Sequence, residues 1–192
     1  DDIVDAFSML ILFVYMDRRY MVYGRAFNEA NIIKNLDNIK ADYSTIFFNK
    51  EGDVWKAAEI AVNYGIETKL VLKREIRFKA SMEEGLAKLK EFGNGKKVFI
   101  DCSATEALQG VYAKQQSVER YEIQDFDKSV AQTNLAFSKK LILLLDSCRL
   151  SKADIENFKY SKSKDENVKY VTTKDGFVAC LRVALHYYGG II

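Results

Sequence analysis

Hydrophobic and polar positions along this chain follow two periods, and the changes of period mark its elements. Residues 6–16 (AFSMLILFVYM) are almost continuously apolar and predict a buried strand, with a buried helix starting at Asp2 as the alternative. Residues 18–36 place Met21, Val22, Ala26, Ile32, Ile33 and Leu36 at roughly helical spacing. Residues 43–49 (YSTIFFN) are β-branched and aromatic, as strands are. Gly52 and Asp53 break that run. Residues 54–64 then predict a helix, with Val54, Ala57, Ala58, Ala61 and Val62 on one face and Gly65 as its stop. Residues 67–72 predict the next strand, and 74–79 alternate as a half-exposed segment. Ser81 and Glu84 form a capping box for a helix that turns Met82, Leu86, Leu89 and Phe92 inward and ends at Gly93 and Gly95. A strand over 97–101, a helix over 105–114 and an edge or near-edge strand over 118–126 follow.

Past Asp127 the pattern changes. Residues 130–150 predict a long helix, and 151–160 a second one capped by Ser151 with Asp154 at the box position. A polar loop, a short strand over 168–172 and a final helix over 175–188 complete the chain. Strand–helix–strand alternation with short loops predicts a three-layer, Rossmann-like α/β sandwich around a mainly parallel sheet, with a helical C-terminal part. The expected division is residues 1–127 as the α/β domain and 128–192 as a helical portion. That portion is either a small winged-helix-like appendage, through which nucleic acid could bind, or the last elements of the same sheet.

Composition narrows the class. The chain has 192 residues, 48% of them apolar and 29% charged, enough for a real core. With 29 basic and 27 acidic residues its formal charge is +2, too balanced to announce nucleic-acid binding by bulk electrostatics. Three distant cysteines without a CxxC motif exclude a disulfide framework and a zinc ribbon, and imply a reducing, cytoplasmic setting. The apolar run at 7–15 follows acidic residues, unlike a signal peptide, and is too short to span a bilayer, so no membrane partner is expected.

The chemistry lies where strands meet helix starts, the edge of a parallel sheet at which ligands dock. Residues 96–113 (KKVFIDCSATEALQGVYA) bring Asp101, Ser103 and Thr105 there. The stretch Asn49, Lys50, Glu51, Gly52 and Asp53 forms a second loop on the same expected edge: Lys50 to neutralise an anion, Gly52 for close backbone approach, Asp53 to cap a helix. Arg18 and Arg19, after Asp17, supply cations for a phosphate. The alternative reading gathers Asp17, Asp53 and Asp101 around Mg²⁺ as a metal-dependent nuclease or phosphoesterase. No nucleotide-binding glycine fingerprint or nucleophile elbow is present. The single histidine, His186, sits in an apolar helix, and Cys102 has no histidine nearby in sequence.

The segment containing Asp101, Ser103, Ala104 and Thr105 resembles the second signature of CRISPR-associated Rossmann-fold (CARF) ligand-sensing domains. Glu106 departs from it, standing where that signature has a basic residue. The resemblance implies a homodimer that binds cyclic oligoadenylates and regulates an attached module. The leading expectation is therefore a non-catalytic nucleotide-sensing domain holding a phosphate-containing ligand at Asp101, Ser103, Thr105, Asn49, Lys50, Gly52, Arg18 and Arg19. The alternatives are the Mg²⁺ nuclease and a partner-binding scaffold.

Overall fold

The computed structural model describes residues 20–22, 26–36, 39, 41–101, 118–121, 126–162, 169–171 and 176–188. The elements are β1 (Tyr20–Val22), β2 (Ile32–Ile33), β3 (Tyr43–Glu51), β4 (Val54–Tyr64), β5 (Thr68–Lys79), α1 (Met82–Gly93), β6 (Val98–Asp101), β7 (Val118–Tyr121), α2 (Phe126–Ser138), β8 (Ile142–Leu145), α3 (Arg149–Asn157), β9 (Lys159–Lys162), β10 (Lys169–Val171) and α4 (Gly176–Tyr187).

Seven strands form one sheet in the order β2-β8-β5-β4-β3-β6-β7, and β1, β9 and β10 form a small antiparallel sheet. In the large sheet β3, β4 and β5 are an antiparallel meander, and the remaining neighbours pair in parallel. Of its described strands β4 alone runs against the rest, so the mainly parallel sheet expected from the pattern is present. Helices cover both faces. Phe47 and Phe99 join α2, α3 and α4 in the larger core, whereas Ile46, Phe48 and Trp55 pack with Leu86 and Leu89 of α1 on the opposite face.

Residues 54–64 are a strand, not the expected helix. Eight consecutive residues, Trp55 to Val62, are buried because β4 lies between β3 and β5 with helices above and below. A strand covered on both faces has no polar side to reveal its period of two. Its three alanines then fall at helical spacing by coincidence. Residues 67–72 and 74–79 are likewise one strand. A bulge between Glu59 and Ile60 pairs those residues with Arg74 and Leu72, leaving Lys73 as the extra residue. The bulge turns the strand over. Leu70 and Leu72 therefore face the larger core, and Ile76 and Phe78 face α1.

The local signals around α1 hold. Ser81 caps the helix with Glu84 completing the box, and Asn94 closes it in the left-handed conformation. Gly85 of that helix lies flat against Trp55, where an added Cβ would come within 2.2 Å of the indole. The edge strand near residue 118 is β7, at the end of the sheet. The helix expected over 130–150 instead ends at Ser138, and β8 follows as a strand between β2 and β5. Residues 26–36, expected to be helical, form a 3₁₀ turn and β2. The Asn31 side chain fastens that turn by donating to the carbonyls of Phe137 (2.9 Å) and Ile142 (3.0 Å). In α3 it is the Glu75 carboxylate, not Ser151, that caps the helix, accepting from the Leu150 and Ser151 amides at 2.7 Å each. Ser151 is buried inside α3.

Glu59 is the critical charge on the α1 side of β4. Its side chain is 2% exposed and meets Arg74 at 2.6 Å, Lys96 at 3.0 Å and Lys73 at 3.6 Å. Burial by itself raises the carboxyl's pKa, but hydrogen bonds from Ser44, Lys96 and Arg74 outweigh it and hold the group at about 2, below its ordinary 4.5. The stabilisation is therefore complete above pH 4.5 and is lost as pH falls from 4.5 through 2. Glu59→Gln should cost about 2 kcal/mol at neutral pH. Urea unfolding across this range should show the deficit of the variant shrinking as the wild-type carboxyl protonates.

Candidate functional site at the ends of β3 and β6

The parallel ladder of β3 and β6 pairs Ile46 with Val98, Phe47 with Phe99 and Phe48 with Ile100. One step further it sets Asn49 beside Asp101, at the C-terminal ends of both strands. The antiparallel ladder pairs Asn49 with Lys56 of β4. Asp101, Asn49 and Lys56 thus occupy successive positions in one row across three neighbouring strands.

Helix α4 covers this row. It is apolar apart from Arg182 and His186, buried from Gly176 to Leu185, and packs on β3 and β4. Its far end is anchored where the Tyr188 hydroxyl donates to Thr45 at 2.7 Å. Burial pushes the Tyr188 phenol up to about 12, so it stays protonated and able to donate at ordinary pH. Tyr187 lies 4.1 Å from the Phe99 ring centre, so the tyrosine pair packs back on the core. His186 is exposed in the last turn.

At the start of α4 the Lys56 ammonium meets Asp154 of α3 at 2.5 Å, with side chains 7% and 19% exposed. Asp154 also accepts from the Phe177 amide at 3.4 Å. The ammonium stands 5.3 Å from the Phe177 ring centre, within cation–π range. Gly176 makes room for the lysine stem, since an added Cβ would come 2.4 Å from Lys56 Cδ. Sequence reasoning passed over Lys56 and read Asp154 as the capping-box acid of Ser151, whereas its carboxylate goes to Lys56 and the Phe177 amide. The signal was present: Lys56 and Glu59, the two charges inside the otherwise apolar run VWKAAEIAV, must each find a buried partner.

The second expected loop is a different object. Asn49, Lys50, Glu51, Gly52 and Asp53 belong to the β3–β4 hairpin rather than to a turn entering a helix. Gly52 takes φ +59° at its tip, the left-handed conformation glycine tolerates. Lys50 donates to the Gly52 carbonyl at 2.5 Å and stands 5.6 Å from the Trp55 ring centre. The Asp53 carboxylate is 66% exposed and lies 3.8 Å from Lys79. The hairpin tip is several residues beyond Asn49, and the strand rise is about 3.3 Å per residue, so Asp53 stands apart from Asp101. Asp17, Arg18, Arg19, Cys102, Ser103 and Thr105 lie outside the described residues. The structure therefore brings Asn49 and Asp101 together from the expected set, and leaves Asp53 out. Among the described residues, no group of three His, Cys, Asp or Glu side chains is arranged to hold a metal ion. Cys148 and Cys180 are buried, and burial pushes the Cys148 thiol up to about 12, which keeps it protonated and a poor nucleophile at ordinary pH.

A meander of three antiparallel strands extended by parallel strands on either side, with an apolar helix laid over the first of them, defines a three-layer α/β domain in which Asn49 and Asp101 stand near the C-terminal ends of β3 and β6. This is the fold of phage large terminase nuclease domains. The large terminase of one thermophilic bacteriophage matches 88% of this chain with TM-score 0.71 at 13% identity. The chain spans 45% of that protein's length. The nuclease domain of the P22 large terminase matches 85% of this chain and 90% of its own, with TM-score 0.67 and 12% identity. The large terminase nuclease of the thermophilic phage G20c with bound magnesium matches 85% of this chain and 95% of its own, with TM-score 0.61 and 13% identity. No family model matches the sequence, and no curated protein matches it significantly. These likenesses bear out the coarse α/β architecture that the CARF resemblance implied. They lend no support to ligand sensing, a cyclic-oligonucleotide ligand or a homodimer. Among the described residues no helix is long and apolar enough to cross a membrane.

Because Lys56 and Asp154 are both largely buried, their energies should not add. A double-mutant cycle with Lys56→Met and Asp154→Asn, read by denaturant unfolding, should give a coupling of about 1–3 kcal/mol.

Proposed function

We propose that this chain is a nuclease-type domain that acts on the phosphodiester backbone of nucleic acid at the ends of β3 and β6. One observation carries the reading. The reading is supported by Asp101, which ends β6 one step beyond the Phe48–Ile100 pair and so level with Asn49, in a fold like that of terminase nuclease domains, since α/β sheets commonly receive ligands at such strand ends. This is the strand-end aspartate alternative of the sequence reading, carried by Asp101, with Asp53 set apart on the β3–β4 hairpin and Asp17 outside the described residues.

The likeness to a terminase nuclease with bound magnesium raises the question of a metal. The donors fit a hard divalent ion in kind: the Asp101 carboxylate and the Asn49 amide oxygen are all-oxygen ligands, and Mg²⁺ keeps several waters when few protein groups bind it. Asp101 and Asn49 would hold the ion. When bound it would supply Lewis-acid polarisation of a phosphoryl oxygen and an activated water. The chain's own residues seat the Lys56 stem against Gly176, place a cation at Lys56 and exclude water beneath α4 with Phe177 and Phe99. The amide at Asn49, in place of a second carboxylate, favours a second reading in which the domain grips nucleic acid without cutting it.

Plasmid DNA incubated with the protein and Mg²⁺ or Mn²⁺ should be nicked or linearised, and chelation should stop the reaction. Asp101→Asn should lower the rate by at least about a hundredfold, the scale of a lost electrostatic contact to the transition state. Intact plasmid with either metal, while the protein binds DNA, decides for the second reading.

A further inference from the structure

We propose that Lys56 is a phosphate-positioning residue: in the free protein its ammonium rests on Asp154, and when nucleic acid binds it exchanges that carboxylate for a backbone phosphate flanking the one at Asp101. The proposal rests on the nucleic-acid reading above and adds the residue that orients the strand.

A lysine that is 7% exposed cannot stand without an anion. The anion it has is borne by α3, a different layer of the fold, and not by the sheet. Asp154 is the more exposed member of the pair, so it is the one that water can receive on release. The exchange conserves charge at the ammonium, which keeps one anionic partner throughout. Phosphate offers several acceptor oxygens for the three donors of the ammonium, where the carboxylate offers two.

The register sets which phosphate is reached. Lys56 lies two strands from Asp101, about 10 Å at the usual strand spacing of about 4.8 Å. Successive phosphates of one strand are set further apart than the axial rise of about 3.4 Å, because the backbone also winds around the axis, so Lys56 meets a phosphate about one or two nucleotides from the one at Asp101. The row continues to Arg77 of β5, paired with Lys56 and exposed. Asn49, Lys56 and Arg77 thus form a track of neutral and cationic donors leading away from the single carboxylate position. The lysine stem packs directly on Gly176, where an added Cβ would come 2.4 Å from Cδ, so the stem reaches its place beside α4 only because that position is glycine.

The test is fluorescence anisotropy of the full chain on a short DNA duplex in chelator, across a range of salt, for wild type, Lys56→Met, Lys56→Arg and Asp154→Asn. Lys56→Met should weaken binding about fivefold to tenfold near 0.1 M salt and reduce the salt slope by about one. Lys56→Arg should keep the slope. Asp154→Asn should bind more tightly than wild type. Its melting temperature should rise with added inorganic phosphate more than wild type's does, because phosphate then satisfies the orphaned ammonium. DNA binding by wild type with an unchanged slope in a folded Lys56→Met overturns this proposal alone. If Lys56→Met does not fold, Asp154→Asn decides: unchanged DNA affinity and no phosphate response overturn it. Failure of wild type to bind DNA at any salt overturns the nucleic-acid reading and this proposal with it.

Discussion

Strand β4 is buried on both faces and still carries two charges, and the rest of the molecule is arranged around that constraint. Lys56 and Glu59 are three residues apart, so they point to opposite sides of the sheet. Neither side has water enough to solvate them. Glu59 draws Arg74, Lys73 and Lys96 to the α1 face, and Arg74 in turn donates to the Phe92 carbonyl near the end of α1 at 2.9 Å. Lys56 draws Asp154 of α3 to the other face, next to the first turn of α4. Each charge therefore pins one helical layer to the sheet in a single register, which apolar packing between alanines and aromatics does not specify by itself.

The two clusters have different consequences. The Glu59 cluster lies along the middle of the sheet, and its carboxylate takes several donors at once, so its contribution is to stability. The Lys56 pair lies at the rim, one strand from Asn49 and two from Asp101, with one partner from another layer. That ion pair is largely buried and joins two layers through one carboxylate, so a change at either side chain is felt by the other. A carboxylate bonded by several donors in mid-sheet contributes to stability through all of them at once. Position in the sheet sets what each charge holds, the α1 side at Glu59 and α3 at Lys56.

The bulge at Lys73 belongs to the same scheme. It turns β5 over in mid-strand, so that Arg74 reaches Glu59 while Glu75 points to the opposite face and caps α3. Without the extra residue these neighbours would exchange faces. Glu59 would lose its closest guanidinium, and α3, whose own cap residue Cys148 makes no side-chain cap, would lose the carboxylate that holds it where Asp154 meets Lys56.

Local patterning was sufficient for what depends on a few neighbouring residues. The Ser81–Glu84 capping box, the strand at residues 43–49, the edge strand at 118 and the helix that became α4 could be read directly, because caps, β-branched runs and amphipathic periods act within one turn or one strand. The balance of a parallel sheet and helices was legible for the same reason. Residues 54–64 were misread because burial on both sides erases period two, and that burial exists only once β3, β5, α1 and α4 are in place. The site followed the same division. Asp101 and Asn49 stood out as strand-end polar residues, but their adjacency, the exclusion of Asp53 and the pairing of Lys56 with Asp154 across 98 positions come from strand order and helix packing. Long-range pairing is a property of topology, and no local period encodes which strand lies beside which.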